Sequence, residues 1–108
     1  MASKGEAAFA LHCRVENISI EAEFKFCPWR RWRFDFAIPD KLIGIEIEGG
    51  TWTGGRHNRG AGYAKDCEKY NQAAKMGWRI FRYTTAQVMQ GTAINDLLEV
   101  LGRTVEAA

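Results

Sequence analysis

From Ile18 to Phe26 apolar and polar residues alternate. Ile18, Ile20, Ala22, Phe24 and Phe26 fall on one side and Ser19, Glu21, Glu23 and Lys25 on the other, the period-two pattern of a half-buried strand. Cys27-Pro28 ends the run, because proline has no amide to give a sheet ladder. A second alternating run sets Trp32, Phe34 and Phe36 against Arg31, Arg33 and Asp35. Pro39-Asp40-Lys41 supplies a turn in which Asp40 serves local hydrogen bonding. A third run sets Ile43, Ile45 and Ile47 against Gly44, Glu46 and Glu48, so the three strands predict an antiparallel meander.

Helical periodicity brackets the meander. Gly5 to about Glu16 is rich in helix formers, with Phe9, Ala10 and Cys13 on one side, and Ser3 and Glu6 have capping-box spacing. Tyr63 to Met76 reads as a helix whose stripe of Ala64, Cys67, Asn71 and Ala74 suits close packing on a sheet, with Gly77 as its C′ residue. Residues 78 to 83 give a fourth strand, entered through a crossover that favours a parallel partner. Ile94, Leu97, Leu98 and Leu101 mark a last helix, with Thr92 as its cap and Gly102 beyond its end. The stretch GGTWTGGRHNRGAG, residues 49 to 62, is too rich in glycine for regular structure and too long for a mere connector, as functional loops are. The expected fold is α/β, an α+β mixed sheet in the order α-β-β-β-α-β-α, as a single domain over residues 1–108.

Composition supports an ordinary folded domain: 46% of the residues are hydrophobic and 26% charged. No segment reaches the ~20 apolar residues of a membrane helix, and a cytoplasmic protein is expected. Cys13, Cys27 and Cys67 are odd in number and far apart, which excludes a disulfide framework and a CxxC zinc pair and leaves them as buried thiols. Net charge is only +2, yet the basic residues cluster: Arg30, Arg31 and Arg33, then Arg56, His57 and Arg59, then Lys65, Lys69 and Lys75. Such clusters around an acidic centre suit a nucleic-acid partner.

The acids are the chemical puzzle. If the Pro39-Asp40 turn joins two antiparallel strands, Asp35, Glu46 and Glu48 fall at neighbouring positions, and directly opposed residues sit ~4.5–5.5 Å apart. Two carboxylates ~4 Å apart repel by about 4 kcal/mol at an effective dielectric near 20, so they need a shared proton or a cation. A hard divalent cation such as Mg²⁺ or Mn²⁺ answers that need, and phosphodiester cleavage fits it. The alternative is plain ion pairing with Arg31, Arg33 or Lys25 across a solvent-facing sheet, where each pair contributes ~0–1 kcal/mol.

The helix bearing Glu6, the strand ending RFDFAIPD, then GIEIEGG, the glycine and histidine loop and DCEKYNQAAKMGWRIFRY together resemble the PD-(D/E)XK nuclease superfamily. Within it they resemble the small phage and bacterial endonucleases related to very-short-patch repair enzymes, over roughly residues 4 to 85. The resemblance implies a restriction-endonuclease-like core and an endonuclease of DNA repair or recombination that hydrolyses DNA with Mg²⁺ or Mn²⁺. It makes Asp35, the central metal-binding aspartate, and Glu46, the acid opening the (D/E)XK triplet, the principal metal ligands, with Ile47, the triplet's middle residue, a further metal position. Glu48 stands where the superfamily usually has lysine, and Glu6 completes the metal site or simply caps its helix. Lys65 or Lys69 on the following helix then supplies the displaced cation, with Lys69 the better match. His57 becomes a candidate acid or base or a phosphate contact, and Arg30, Arg31, Arg56, Arg59, Lys65 and Trp52 candidate nucleic-acid contacts. The expected partner is DNA, with RNA not distinguished by the sequence, acted on by a homodimer without a membrane. The absent motif lysine also favours a second reading, a DNA-binding or assembly protein that keeps the nuclease fold without hydrolysis.

Overall fold

The computed structural model describes residues 2–49 and 61–103. In chain order the elements are α1 (Lys4–Val15), β1 (Glu21–Lys25), β2 (Arg33–Ile38), a 3-10 turn (Pro39–Lys41), β3 (Ile43–Glu48), α2 (Ala61–Lys75), β4 (Arg79–Thr84), α3 (Thr85–Met89) and α4 (Thr92–Val100). The sheet runs β1-β2-β3-β4. The first two pairings are antiparallel and β4 lies parallel to β3, with Gly44 opposite Ile80 and Ile47 opposite Tyr83. This is the mixed α/β sheet expected, with one added helix. α3 forms because the Thr84 hydroxyl accepts from the Gln87 amide and the Gln87 side chain accepts from the Thr84 amide, a capping box that starts a helix directly at a strand end.

Each sheet face has its own core. Phe36, Ile38, Ile43, Ile45, Ile47 and Tyr83 pack under Phe9 and Cys13 of α1, Val88 of α3, and Ala93, Leu97 and Leu98 of α4. On the other face Phe26, Phe34, Ala37 and Ala73 of α2 form a second cluster with Phe24, Trp32, Met76, Trp78 and Ile80 around it. Gly44 lets these layers meet, since a Cβ there would stand 2.7 Å from the Phe34 ring and 2.9 Å from Ile80. Gly44→Ala is therefore expected to lower stability by about 1–3 kcal/mol through overpacking, read as a fall in the thermal midpoint.

Several local expectations are corrected. Ile18 and Ile20 belong to the α1-side core while Phe24 and Phe26 belong to the α2-side core, so the first run does not keep one face. The switch comes at Glu23, whose φ is 52°. Phe34 and Phe36 are likewise divided between the two cores, with Asp35 between them. On α2 the predicted stripe of Ala64, Cys67, Asn71 and Ala74 is exposed, and the face turned inward carries Lys69, Tyr70, Ala73 and Met76. Cys67 is accordingly an exposed thiol, whereas Cys13 and Cys27 are buried. Thr92 begins α4 but does not cap it: Gly91, at φ 89°, occupies the N-cap position without a side-chain bond. The Gly77 terminus holds, with φ 90° and the Trp78 amide returning to the Ala73 carbonyl at 3.0 Å. Among the described residues no helix is long and apolar enough to cross a membrane.

Candidate active site

The β2–β3 ladder stops at Phe36 opposite Ile45. Past that point the strands part, and two backbone amides that would otherwise lack partners are taken by acids. The Asp35 amide donates to Glu46 Oε2 at 3.1 Å, and the Ile47 amide donates to Asp35 Oδ2 at 2.7 Å. This exchange explains why carboxylates are tolerated among apolar rows, since a buried amide left unpaired is costly.

Asp35 is also the meeting point of a cluster. One carboxylate oxygen each from Glu6, Glu23 and Asp35 lie within 4.8 Å of one another. Three elements supply them. α1 brings Glu6, and its close approach rests on Gly5, where a Cβ would stand 2.8 Å from Thr85 Oγ1 and 2.9 Å from Ile47 Cγ2. Glu6 caps its helix, its Oε1 accepting from the Ser3 amide at 2.8 Å in a complete capping box, and the same side chain brings a carboxylate oxygen near Asp35. β1 brings Glu23, which stands opposite Asp35 in the register fixed by Ala22↔Phe36 and Phe24↔Phe34. A left-handed backbone at a glutamate is strained, and such strain persists where the surroundings hold it.

Burial raises the Asp35 carboxyl to about 6; the Ile47 amide pulls it down, and the Glu46 and Glu6 charges push it up. An aspartate so raised is stabilised in its protonated form, chiefly because its charge is taken out of water. The donor set of three carboxylates with no histidine or cysteine suits a hard cation such as Mg²⁺ or Mn²⁺ and not zinc.

Glu46 stands apart from that cluster, turned toward α2. Its Oε1 accepts from Lys69 Nζ at 3.0 Å and from the Tyr70 hydroxyl. Both charged side chains are largely buried, 15% exposed for Lys69 and 10% for Glu46. Tyr70 is held well above its ordinary range by burial and by its bond to Glu46. Glu48 is exposed and bound to Arg82 Nε at 2.8 Å, and the Arg82 guanidinium lies 4.8 Å from the centre of the Tyr70 ring. Lys65 and Arg31 are exposed, and Arg30 lies over Trp32. Trp52, Arg56, His57 and Arg59 lie outside the described residues.

Glu23 is the residue that sequence reasoning passed over, assigning it to the solvent side of its strand. A signal was present: a hairpin folded about Trp29 sets positions 23 and 35 opposite each other, since each lies six residues from it.

No family model and no curated protein matches the chain. Among solved structures it is similar to the Homing Endonuclease I-Bth0305I Catalytic Domain, with a TM-score of 0.66 over 91% of this chain and 92% of that one. Sequence identity is 14%, so the likeness is one of fold. The fold of this chain resembles that of a nuclease domain.

Proposed function

We propose that this chain is a Mg²⁺- or Mn²⁺-dependent endonuclease of the PD-(D/E)XK type that hydrolyses DNA phosphodiester bonds with structural selectivity or weak sequence preference. The convergence of Glu6, Glu23 and Asp35 within a nuclease-like fold carries this reading. Those three acids would hold the cation. A bound divalent ion there supplies Lewis-acid polarisation of a phosphate oxygen and relief of the charge that builds during displacement.

The chain's own residues do the rest. Lys69, clamped by Glu46, supplies the ammonium that the triplet lacks at Glu48 and offsets developing negative charge on the phosphate. Glu46 fixes the backbone of Asp35 through its amide, so the acid opening the triplet positions the central aspartate. Arg30, Arg31 and Lys65, with Arg56, Arg59 and Trp52 of the glycine-rich stretch 49–62, neutralise or contact the nucleic acid, and His57 serves proton transfer.

One observation favours the inactive reading: Glu46 already has both oxygens satisfied, by Lys69, Tyr70 and the Asp35 amide, without any ion. Incubating the protein with supercoiled plasmid and with labelled duplex, branched and single-stranded DNA separates the two. Cleavage is expected with Mg²⁺ or Mn²⁺ and none with EDTA. DNA binding without cleavage under every metal condition would leave a binding protein on a nuclease scaffold.

A further inference from the structure

At the turn between β1 and β2 the α2-side core continues outward as an ordered stack that ends on a charged side chain. The Phe34 and Phe26 rings lie parallel, 1° apart in plane with centroids at 4.2 Å. Trp32 continues the stack on Phe26 at 12° and 6.1 Å, and the Arg30 guanidinium stands 3.8 Å from the centre of the Trp32 ring. The inner end is closed, with Phe34 fully buried and Trp78 edge-on to it at 5.1 Å. The outer end is open, the Arg30 side chain being 43% exposed. Glu68 Oε1, 3.4 Å from Arg30 on α2, tethers the guanidinium at its edge and leaves its outer face uncovered by that contact. Trp29, the residue before Arg30, is 67% exposed.

Charge around this platform is unbalanced. Lys25, Arg30, Arg31 and Arg33 flank the turn. Glu68 engages Arg30, and Glu23 approaches Arg33 at 4.0 Å, but Lys25 and Arg31 have no carboxylate partner among the described residues. A flat cation extending an aromatic stack, an exposed indole on the preceding residue and surplus positive charge match one ligand chemistry, a nucleobase with its phosphate. Guanidinium planes and indoles stack on bases whose faces are free, and paired bases within a duplex have no free face. Phosphate binding alone would need the charges but not the planes.

We propose that Trp29 and the Arg30–Trp32 stack form a binding site for an unpaired nucleotide, so that the substrate is DNA with a single-stranded segment next to the cleavage point. The deduction of a base site rests on the turn itself; its link to cleavage rests on the nuclease reading. The spacing is compatible. Lys25 and Arg33 lie two positions along their strands from Glu23 and Asp35, about 7 Å at the usual strand rise, so these two cations stand between the acids and the turn.

The test is binding without metal, which separates it from catalysis. Fluorescence anisotropy in EDTA is measured with an end-labelled single-stranded oligonucleotide and with its blunt duplex. Wild type is expected to prefer the single strand. Trp29→Ala and Arg30→Lys are each expected to weaken single-strand binding about 5- to 100-fold while duplex binding changes less than about 2-fold. Arg30→Lys is the sharper variant, because it keeps the charge and removes the plane. Single-strand affinity unchanged in Arg30→Lys and Trp29→Ala, or a wild type that prefers duplex, overturns the proposal even if plasmid is cut. Base-dependent binding in a protein that cuts nothing overturns the nuclease reading and leaves the stacking site standing.

Discussion

Asp35→Asn is expected to yield a protein that melts higher than wild type in metal-free buffer at pH 7.5 and cleaves DNA at least ~10³-fold more slowly. The two effects share one cause. Above about pH 6 the Asp35 carboxyl is ionised in a partly desolvated place facing the Glu46 and Glu6 charges. Asparagine keeps an oxygen for the Ile47 amide and discards the charge. The pH dependence has a definite sign: a folded value raised from 3.8 to about 6 gives stability that is complete below the lower figure and lost as pH rises through the upper one. Metal-free wild type should therefore lose stability between those two pH values relative to Asp35→Asn, in thermal melts run in parallel. A divalent ion must displace the same proton, so Mn²⁺ affinity by calorimetry should fall about tenfold per pH unit below pH 6. Equal cleavage by Asp35→Asn and wild type removes Asp35 from the site.

The stability gain also shows why this region was only partly legible in the sequence. The rows Ile43, Ile45, Ile47 and Gly44, Glu46, Glu48 follow strict alternation, and the structure keeps them on opposite faces because β3 lies inside the sheet between β2 and β4. Alternation failed in β1 and β2 at opposed positions, Glu23 and Asp35, where the strands exchange which core they feed. A periodic rule assumes uniform twist, and a residue at φ 52° ends that assumption without leaving a mark in hydropathy. Places where local rules break against the fold are where strain is kept for a purpose. The misplaced face of α2 has another origin. Lys69 is charged, so hydropathy sets it apart from the small-residue stripe, yet its ammonium meets a carboxylate at the sheet surface, as the hydroxyl of Tyr70 beside it does. A buried partner cannot be seen from one helix alone. Ser3 with Glu6 was readable because both members of a capping box lie within a few residues of each other.

That buried partner gives the second large effect. Lys69→Met is expected to cost about 2–4 kcal/mol, because it leaves the Glu46 charge largely enclosed with only the Tyr70 hydroxyl and the Asp35 amide to hold it. Glu46→Gln alone should cost less, since the amide oxygen still accepts from Tyr70 or Asp35 while the Lys69 ammonium can turn outward on its flexible stem. Combining them removes both charges, and the double variant should recover about 1–3 kcal/mol of the loss expected from adding the single effects, the coupling a double-mutant cycle in urea measures. Cleavage decides what the pair is for. If Lys69 supplies charge to the scissile phosphate, the double variant regains stability and stays inactive. If the pair only seals the seam between α2 and the sheet, restoring stability restores cleavage with it, and the cation assisting the reaction must come from another residue.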